Sequence, residues 1–196
     1  MYTMRATTRE RLIETTRDLL WERGYAATSP RTIMADSGVG QGSMYHHFAG
    51  KEDLAVEALD GSAARLVAAA DRIFDEDVPA TDRLVSYLTR QRDVMRGCPV
   101  GRMTGDADAL DSDRLHHIVR ETFAHVRTRI AETIRAGVDS AEFAPDTDAD
   151  ALADTVLAVV QGGYVLARAA GSEAPFGRAV DGAVALLNAA RQEARQ

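Results

Sequence analysis

The stretch that decides the fold runs from Ser29 to Lys51: Ser-Pro-Arg-Thr-Ile-Met-Ala-Asp-Ser-Gly-Val-Gly-Gln-Gly-Ser-Met-Tyr-His-His-Phe-Ala-Gly-Lys. Ser29 is a good N-cap and Pro30 suits a first helical position, so a short helix starts there. Ile33 and Met34 give it an apolar side, and it ends at Ser37-Gly38, where the chain turns. Val39 plugs the core at that turn. A second short helix opens at Gly40 or Gln41 and runs to Phe48. Its Met44 and Phe48, four residues apart, point inward. Gln41, Gly42, Ser43, Tyr45, His46 and His47 are left near solvent. One helix that positions and one that is presented to a duplex is the pattern of a helix-turn-helix.

Upstream, Thr7-Thr8-Arg9-Glu10 fits a capping box, in which hydroxyl and carboxylate each take a backbone N–H of the other residue. Leu12, Thr16, Leu19 and Leu20 then share one helical face. Gly24 ends that helix, and Tyr25 packs back on it. Residues 1–6 form an arm carrying Arg5, which can reach a minor groove.

Downstream, a long helix runs from Lys51 to about Phe74, with Leu54, Ala58, Gly61, Leu66, Ala70, Ile73 and Phe74 on an irregular apolar side. Pro79 marks another start, with Leu84, Leu88, Gln91 and Met95 along one face. Gly97-Cys98-Pro99-Val100-Gly101 is a break, and a short helix is expected near Met103 to Leu110. Asp113 to Val138 is amphipathic. Residues 139–149 form an acidic loop. Asp150 to Ala170 is apolar almost all round, so it must be covered on both sides. Pro175 opens the last helix. The reading is an all-α protein of about nine helices. A helix-turn-helix domain occupies residues 1–50, and a larger helical domain occupies residues 51–196.

The chain has 196 residues with a net charge of -7, which at first argues against a nucleic-acid partner. The distribution answers that. Residues 1–51 hold seven basic and five acidic side chains, net +2; the rest hold 16 and 25, net -9. The N-terminal quarter is therefore the part that can face phosphates. Cys98 is the only cysteine, so no intrachain disulfide is possible; it reads as a small buried apolar residue or, alternatively, a redox sensor. No signal-peptide pattern opens the chain, and no apolar run reaches the ~18 residues of a spanning helix. The expected location is cytoplasmic, with no membrane partner.

Arg9 to Leu59 resembles the DNA-binding domain of the TetR/AcrR family of transcriptional regulators. The matching residues are Arg11-Leu12-Ile13, Leu19-Leu20, Glu22-Arg23-Gly24-Tyr25, Thr28, Ile33, Gly38-Val39, Gly42, Met44-Tyr45-His46-His47-Phe48 and Lys51-Glu52-Asp53-Leu54. The segments Gly97 to Gly101 and Gln161-Gly162-Gly163 resemble the LmrA/YxaF-type ligand-binding domain. The resemblance implies a homodimer whose two heads dock in successive major grooves of a near-palindromic DNA operator. It implies base-edge or backbone contacts for Gln41, Ser43 and Tyr45, close approach at Gly42, and phosphate contacts for Thr28, Arg31, Thr32, His46, His47 and Lys51. The family usually has a hydroxyl residue where Gly40 stands, and Ser37 is the hydroxyl placed to stand in.

The resemblance also implies a small-molecule effector among the helices after the head. Phe74, Tyr87, Met95, Met103, His117, Phe123, Gln161 and Tyr164 are the expected lining, each otherwise plain core. The effector is then a small apolar or aromatic compound, since methionine suits adaptable apolar pockets. The last two helices are the expected dimer interface, or else they simply cap the core of the single chain. Ala153, Gly163, Ala179, Ala183 and Ala190 permit close approach there, and Val160, Leu186 and Leu187 supply apolar area. No catalytic triad, paired carboxylates or metal-ligand spacing is present, and no cofactor is expected. His46 and His47 are adjacent, so they point ~100° apart and make a poor metal pair. The expected function is an effector-released transcriptional repressor, not an enzyme. The alternative is an all-α small-molecule-binding or enzymatic domain with an incidental helix-turn-helix.

Overall fold

A computed structural model of the chain describes residues 7–193, with side chains as far as Arg191. Arg5 and the expected arm lie outside the described residues. Among those described there are nine α-helices, one 3-10 turn and no strand. The helices are α1 (Thr8–Arg23), α2 (Pro30–Ser37), α3 (Gln41–His47), α4 (Lys51–Phe74), α5 (Ala80–Thr89), α6 (Ala107–Asp111), α7 (Asp113–Asp139), α8 (Ala149–Ala170) and α9 (Ala174–Glu193). The 3-10 turn, Gly101–Gly105, precedes α6.

The chain divides into two compact units. One takes residues 1–65 and 99–121, the other 66–98 and 122–196. The expected boundary after residue 50 does not coincide with this division. Leu54 on α4 belongs to the same apolar core as Leu12, Leu19, Ile33, Val39, Met44 and Phe48, so the head extends into α4.

In the first unit the local signals act as read. The Thr7 hydroxyl accepts the Glu10 N–H at 3.2 Å, and the Glu10 carboxylate accepts the Thr7 N–H at 2.7 Å. These bonds hold the Glu10 carboxyl below its ordinary pKa. Leu12, Thr16, Leu19 and Leu20 are the buried residues of α1. The Ser29 hydroxyl caps α2 by accepting the Thr32 N–H at 3.1 Å. Gly38, at φ 65°, makes the left-handed turn. Gly40 caps α3 without a side-chain bond, and Ser37 does not stand in: its hydroxyl donates back to the Met34 carbonyl at 3.4 Å.

The second unit contains α5, α8 and α9 with the later parts of α4 and α7. Glu142 caps α5. Its carboxylate accepts the Ala80 N–H at 2.9 Å and both the N–H and hydroxyl of Thr81 at 3.0 Å. The expected α5 face through Gln91 and Met95 is not formed, because α5 stops at Thr89. The Arg92 guanidinium folds back onto the helix end, donating to Leu88 O at 2.8 Å, Arg90 O at 2.9 Å and Tyr87 O. A cation there satisfies free carbonyls and the negative end of the helix dipole. The helix expected near Met103–Leu110 resolves into the 3-10 turn and α6.

α8 and α9 pack along each other. Gly163 allows this: a Cβ there would lie 2.8 Å from the Phe176 ring. By length and composition alone, α8 is long and apolar enough to cross a membrane, so the expectation that no run reaches that length does not hold. Its alanines, valines and glycines, with few charges, account for this.

Candidate nucleic-acid interface

α3 separates its residues cleanly. Met44 is fully buried and Phe48 is 5% exposed, so both anchor it in the core. Gln41, Gly42, Ser43, Tyr45, His46 and His47 are all exposed. A seven-residue helix thus offers an amide, two imidazoles, a phenol and a hydroxyl above a fixed apolar base. Such groups hydrogen-bond base edges and phosphates. The His46 and His47 rings lie 5.1 Å apart, edge to face. No group of three or more His, Cys, Asp or Glu among the described residues is placed to hold a metal.

Around α3 the expected phosphate contacts differ in kind. Arg31 is exposed at the start of α2, and Thr32 is half-buried beside Ser29, with their hydroxyl oxygens 2.9 Å apart. Thr28 is corrected: its side chain is fully buried and its hydroxyl donates to the Gly24 carbonyl at 2.6 Å. It ties the α1–α2 turn and does not face a phosphate. Lys51 is half-buried, its Nζ 3.9 Å from the centroid of the Tyr25 ring. Burial lowers its pKa, against the raising effect of Asp108 and Asp106. The ammonium therefore stands at the N-terminus of α4 on an aromatic platform rather than extended into solvent.

Three residues that hold this head escaped the sequence reading. Asp106, N-cap of α6, accepts the Ala109 N–H at 3.1 Å and also the Ala26 N–H at 2.9 Å. Arg114 pairs with Asp53 at 2.5 Å, which keeps the Asp53 carboxyl below its ordinary pKa. Ser112 donates to Glu52 at 2.5 Å. Asp106 stands before a short helix, which is a cap signal. Its bond to Ala26 spans 80 residues and leaves no local pattern.

The expected effector residues fall into two groups. Phe74 and Tyr87 lie in the second unit with ring centroids 5.2 Å apart, and Tyr164 stacks on Phe176 at 5.0 Å. Arg92, which sequence reasoning missed, stands 5.3 Å from the Tyr87 ring and 5.9 Å from that of Phe176. Phe123 and Gln161 are half-buried in the same unit, and Met95 is 39% exposed. Met103 and His117 belong to the first unit instead. Met103 is fully buried core. His117 is exposed, bonded to Arg120 at 3.1 Å. It borders an open groove of about 620 Å³ together with His47, Phe48, Val56, Arg114 and Ile118.

The expected dimer residues also divide. Ala153, Val160, Gly163 and Leu187 are buried within the second unit, which corrects their assignment to an interface between subunits. The small residues let α8 approach α9 of the same chain. Ala179, Ala183 and Ala190 are half-buried. Leu186 is 72% exposed, and α8 adds Val165 at 65% and Leu166 at 53%.

A capped three-helix head with a polar α3 face, followed by an all-helical body, defines the class of helix-turn-helix transcription regulators. Residues 12–58 match the family model described as bacterial regulatory proteins, tetR family. Residues 80–183, over half of the chain, match the tetracyclin repressor-like C-terminal domain. The chain is 25% identical to the uncharacterised regulator YxaF of Bacillus subtilis, over 84% of this chain and 86% of that one. It is 28% identical to the transcriptional repressor KstR2 of Mycobacterium tuberculosis, over 72% of each. A TetR regulator from Chloroflexus aurantiacus shares its fold with a TM-score of 0.82 and 28% identity, covering 92% of this chain and 94% of that one. The chain belongs to the TetR family of DNA-binding transcription regulators, a family of regulators and not of enzymes.

Proposed function

We propose that the chain is a dimeric repressor that leaves a near-palindromic operator when a small apolar or aromatic effector binds its C-terminal part. The observation that carries the reading is α3: six exposed residues from Gln41 to His47 over the buried pair Met44 and Phe48. Gln41 pairs with adenine, Ser43 with several base edges, and Gly42 lets the helix backbone approach the duplex. Tyr45, His46, His47, Arg31, Thr32 and Lys51 hold phosphates. The relative KstR2 is named a repressor, which supports the sign of regulation.

Exposed Val165 and Leu166 on α8 and Leu186 on α9 support a two-fold interface through these helices. Such an interface sets the two heads one helical turn, about 34–36 Å, or a multiple apart. It also covers the apolar side of α8, in keeping with a cytoplasmic protein. The effector acts only through its difference in affinity between the operator-competent and released states. The test is selection of bound duplexes from a random pool, followed by a screen for compounds that release the selected one. Recovery of a palindrome and a releasing compound is expected. A monomer in size-exclusion chromatography, or a pool that yields no sequence, sinks the reading.

A further inference from the structure

We propose that the second unit carries a receptor site for an aromatic carboxylate, built on Arg90, Arg92, Tyr87 and Tyr164. This rests on the effector-responsive reading and names the effector's chemistry.

Two aromatic pairs meet around one cation. Phe74 packs on Tyr87, Tyr164 packs on Phe176, and the Arg92 guanidinium lies 5.3 Å from the Tyr87 ring and 5.9 Å from the Phe176 ring. A second guanidinium, that of Arg90, lies 5.4 Å from Tyr87. Tyr87, Tyr164 and Phe176 are all buried. Two cations therefore stand against a buried apolar wall.

The charges acting on Arg92 and on the two tyrosines do not balance. The ionisable groups acting on Arg92 are Arg90, Tyr164 and Tyr87, and those acting on the tyrosines are Arg92, Arg90, Cys98 and, at Tyr164, Tyr87. No carboxylate is among them. Burial, then the like charge of Arg90, lowers the Arg92 pKa. A half-buried cation is held best with an anionic partner nearby, because desolvation is costly without one. The α5 carbonyls occupy the terminal nitrogens of Arg92, but its Nε and the Nε of Arg90 are buried with no hydrogen-bond partner.

The remaining polar groups are donors too. Burial raises both phenols, Tyr164 up to about 12, so each stays protonated near neutral pH. A phenol can accept as well, but two guanidiniums and two protonated phenols leave the site rich in donors and positive charge. Its complement is an anion with acceptor oxygens. The planar guanidinium fork of Arg90 matches a carboxylate. The four rings match an aromatic body, which stacks at ring distances of about 4.5–7 Å. A neutral compound brings no charge to meet the two guanidiniums, and a cationic one is repelled.

The test is calorimetric titration of the full chain with benzoate and 2-naphthoate, against benzamide and 2-naphthamide as neutral isosteres. At least one acid is expected to bind with a micromolar Kd, its amide at least about tenfold more weakly. Arg90→Gln removes that difference and Arg90→Lys restores part of it, with the helical circular-dichroism signal unchanged. If Arg90→Gln does not fold, Tyr164→Phe replaces it and weakens the acid alone. Equal binding of acid and amide, absence of binding by both acids, or an acid advantage that survives Arg90→Gln would overturn the site. An acid that binds as expected yet leaves the selected operator bound counts against the effector-responsive reading and leaves the site standing.

Discussion

The carboxylate of Asp106 accepts the backbone N–H of Ala26 at 2.9 Å, joining the start of α6 to the turn between α1 and α2. The same side chain caps α6 through Ala109. It also explains the glycine at position 24, which has φ +85° and where an added Cβ would lie 2.6 Å from Asp106 Oδ2. One carboxylate thus fixes the turn that leads into the DNA-facing helices.

Removing it has a definite cost. Asp106→Ala loses a helix cap and leaves the Ala26 N–H without its acceptor, together worth about 1–3 kcal/mol. Gly24→Ala combines a positive φ with a clash and is expected to cost at least about 1 kcal/mol. Urea denaturation checks both. Wild-type midpoints for the two variants would remove Asp106 from its structural role.

Thr28 and Lys51 separate stability from binding. Thr28→Val leaves the Gly24 carbonyl without its buried donor and should cost about 1–2 kcal/mol of stability, with operator affinity at saturating folded protein unchanged. Lys51→Ala should weaken binding to every duplex and reduce the slope of log affinity against log salt by about one. Titrations at several salt concentrations decide this. An unchanged slope would show that Lys51, seated on Tyr25, serves packing only.

Glu142 sets an acid limb. Burial opposes its charged form, but bonds from Thr81 and Ala80 prevail and hold its pKa below the ordinary 4.5. The folded value is depressed, so its stabilisation is present above about 4.5 and is lost as pH falls through the folded value. Glu142→Gln should lower stability at pH 6–7 and flatten the dependence below 4.5. An identical pH profile for the variant would contradict the cap.

Leu186→Glu and Leu166→Glu place charge on the exposed apolar residues of α9 and α8. Sedimentation is expected to show monomers for the double variant and a dimer for the wild type. Gly163→Ala acts inside the chain instead. Its Cβ meets the Phe176 ring, and an overpacked core contact of this kind costs about 1–3 kcal/mol.

How much the sequence showed depends on the range of the interaction. The capping box at Thr7–Glu10, the Ser29-Pro30 start and the Gly38 turn are local, and each is present as read. Met44 and Phe48 were legible because helical periodicity sets an inner face. Thr28 was misread because a buried hydroxyl and a phosphate-facing one look alike in sequence; its tie to Gly24 decides the matter. Gly163 and Val160 are small and apolar in either an intrachain or an intersubunit seam, and burial assigned them to the former. Arg92 ended α5 early because its side chain caps the carbonyls behind it, which a face drawn through Gln91 and Met95 cannot anticipate. Asp106, Arg114 and Ser112 act at separations of 60–80 residues, where no spacing rule applies.

If the exposed face of α3 reads base sequence, Gln41 carries part of that readout. Fluorescence-anisotropy titration of Gln41→Ala against a selected palindrome and a scrambled duplex tests it most directly. A loss of about 1–3 kcal/mol is expected on the palindrome, as for a bidentate pairing, with little change on the scrambled duplex. An equal loss on both would contradict it.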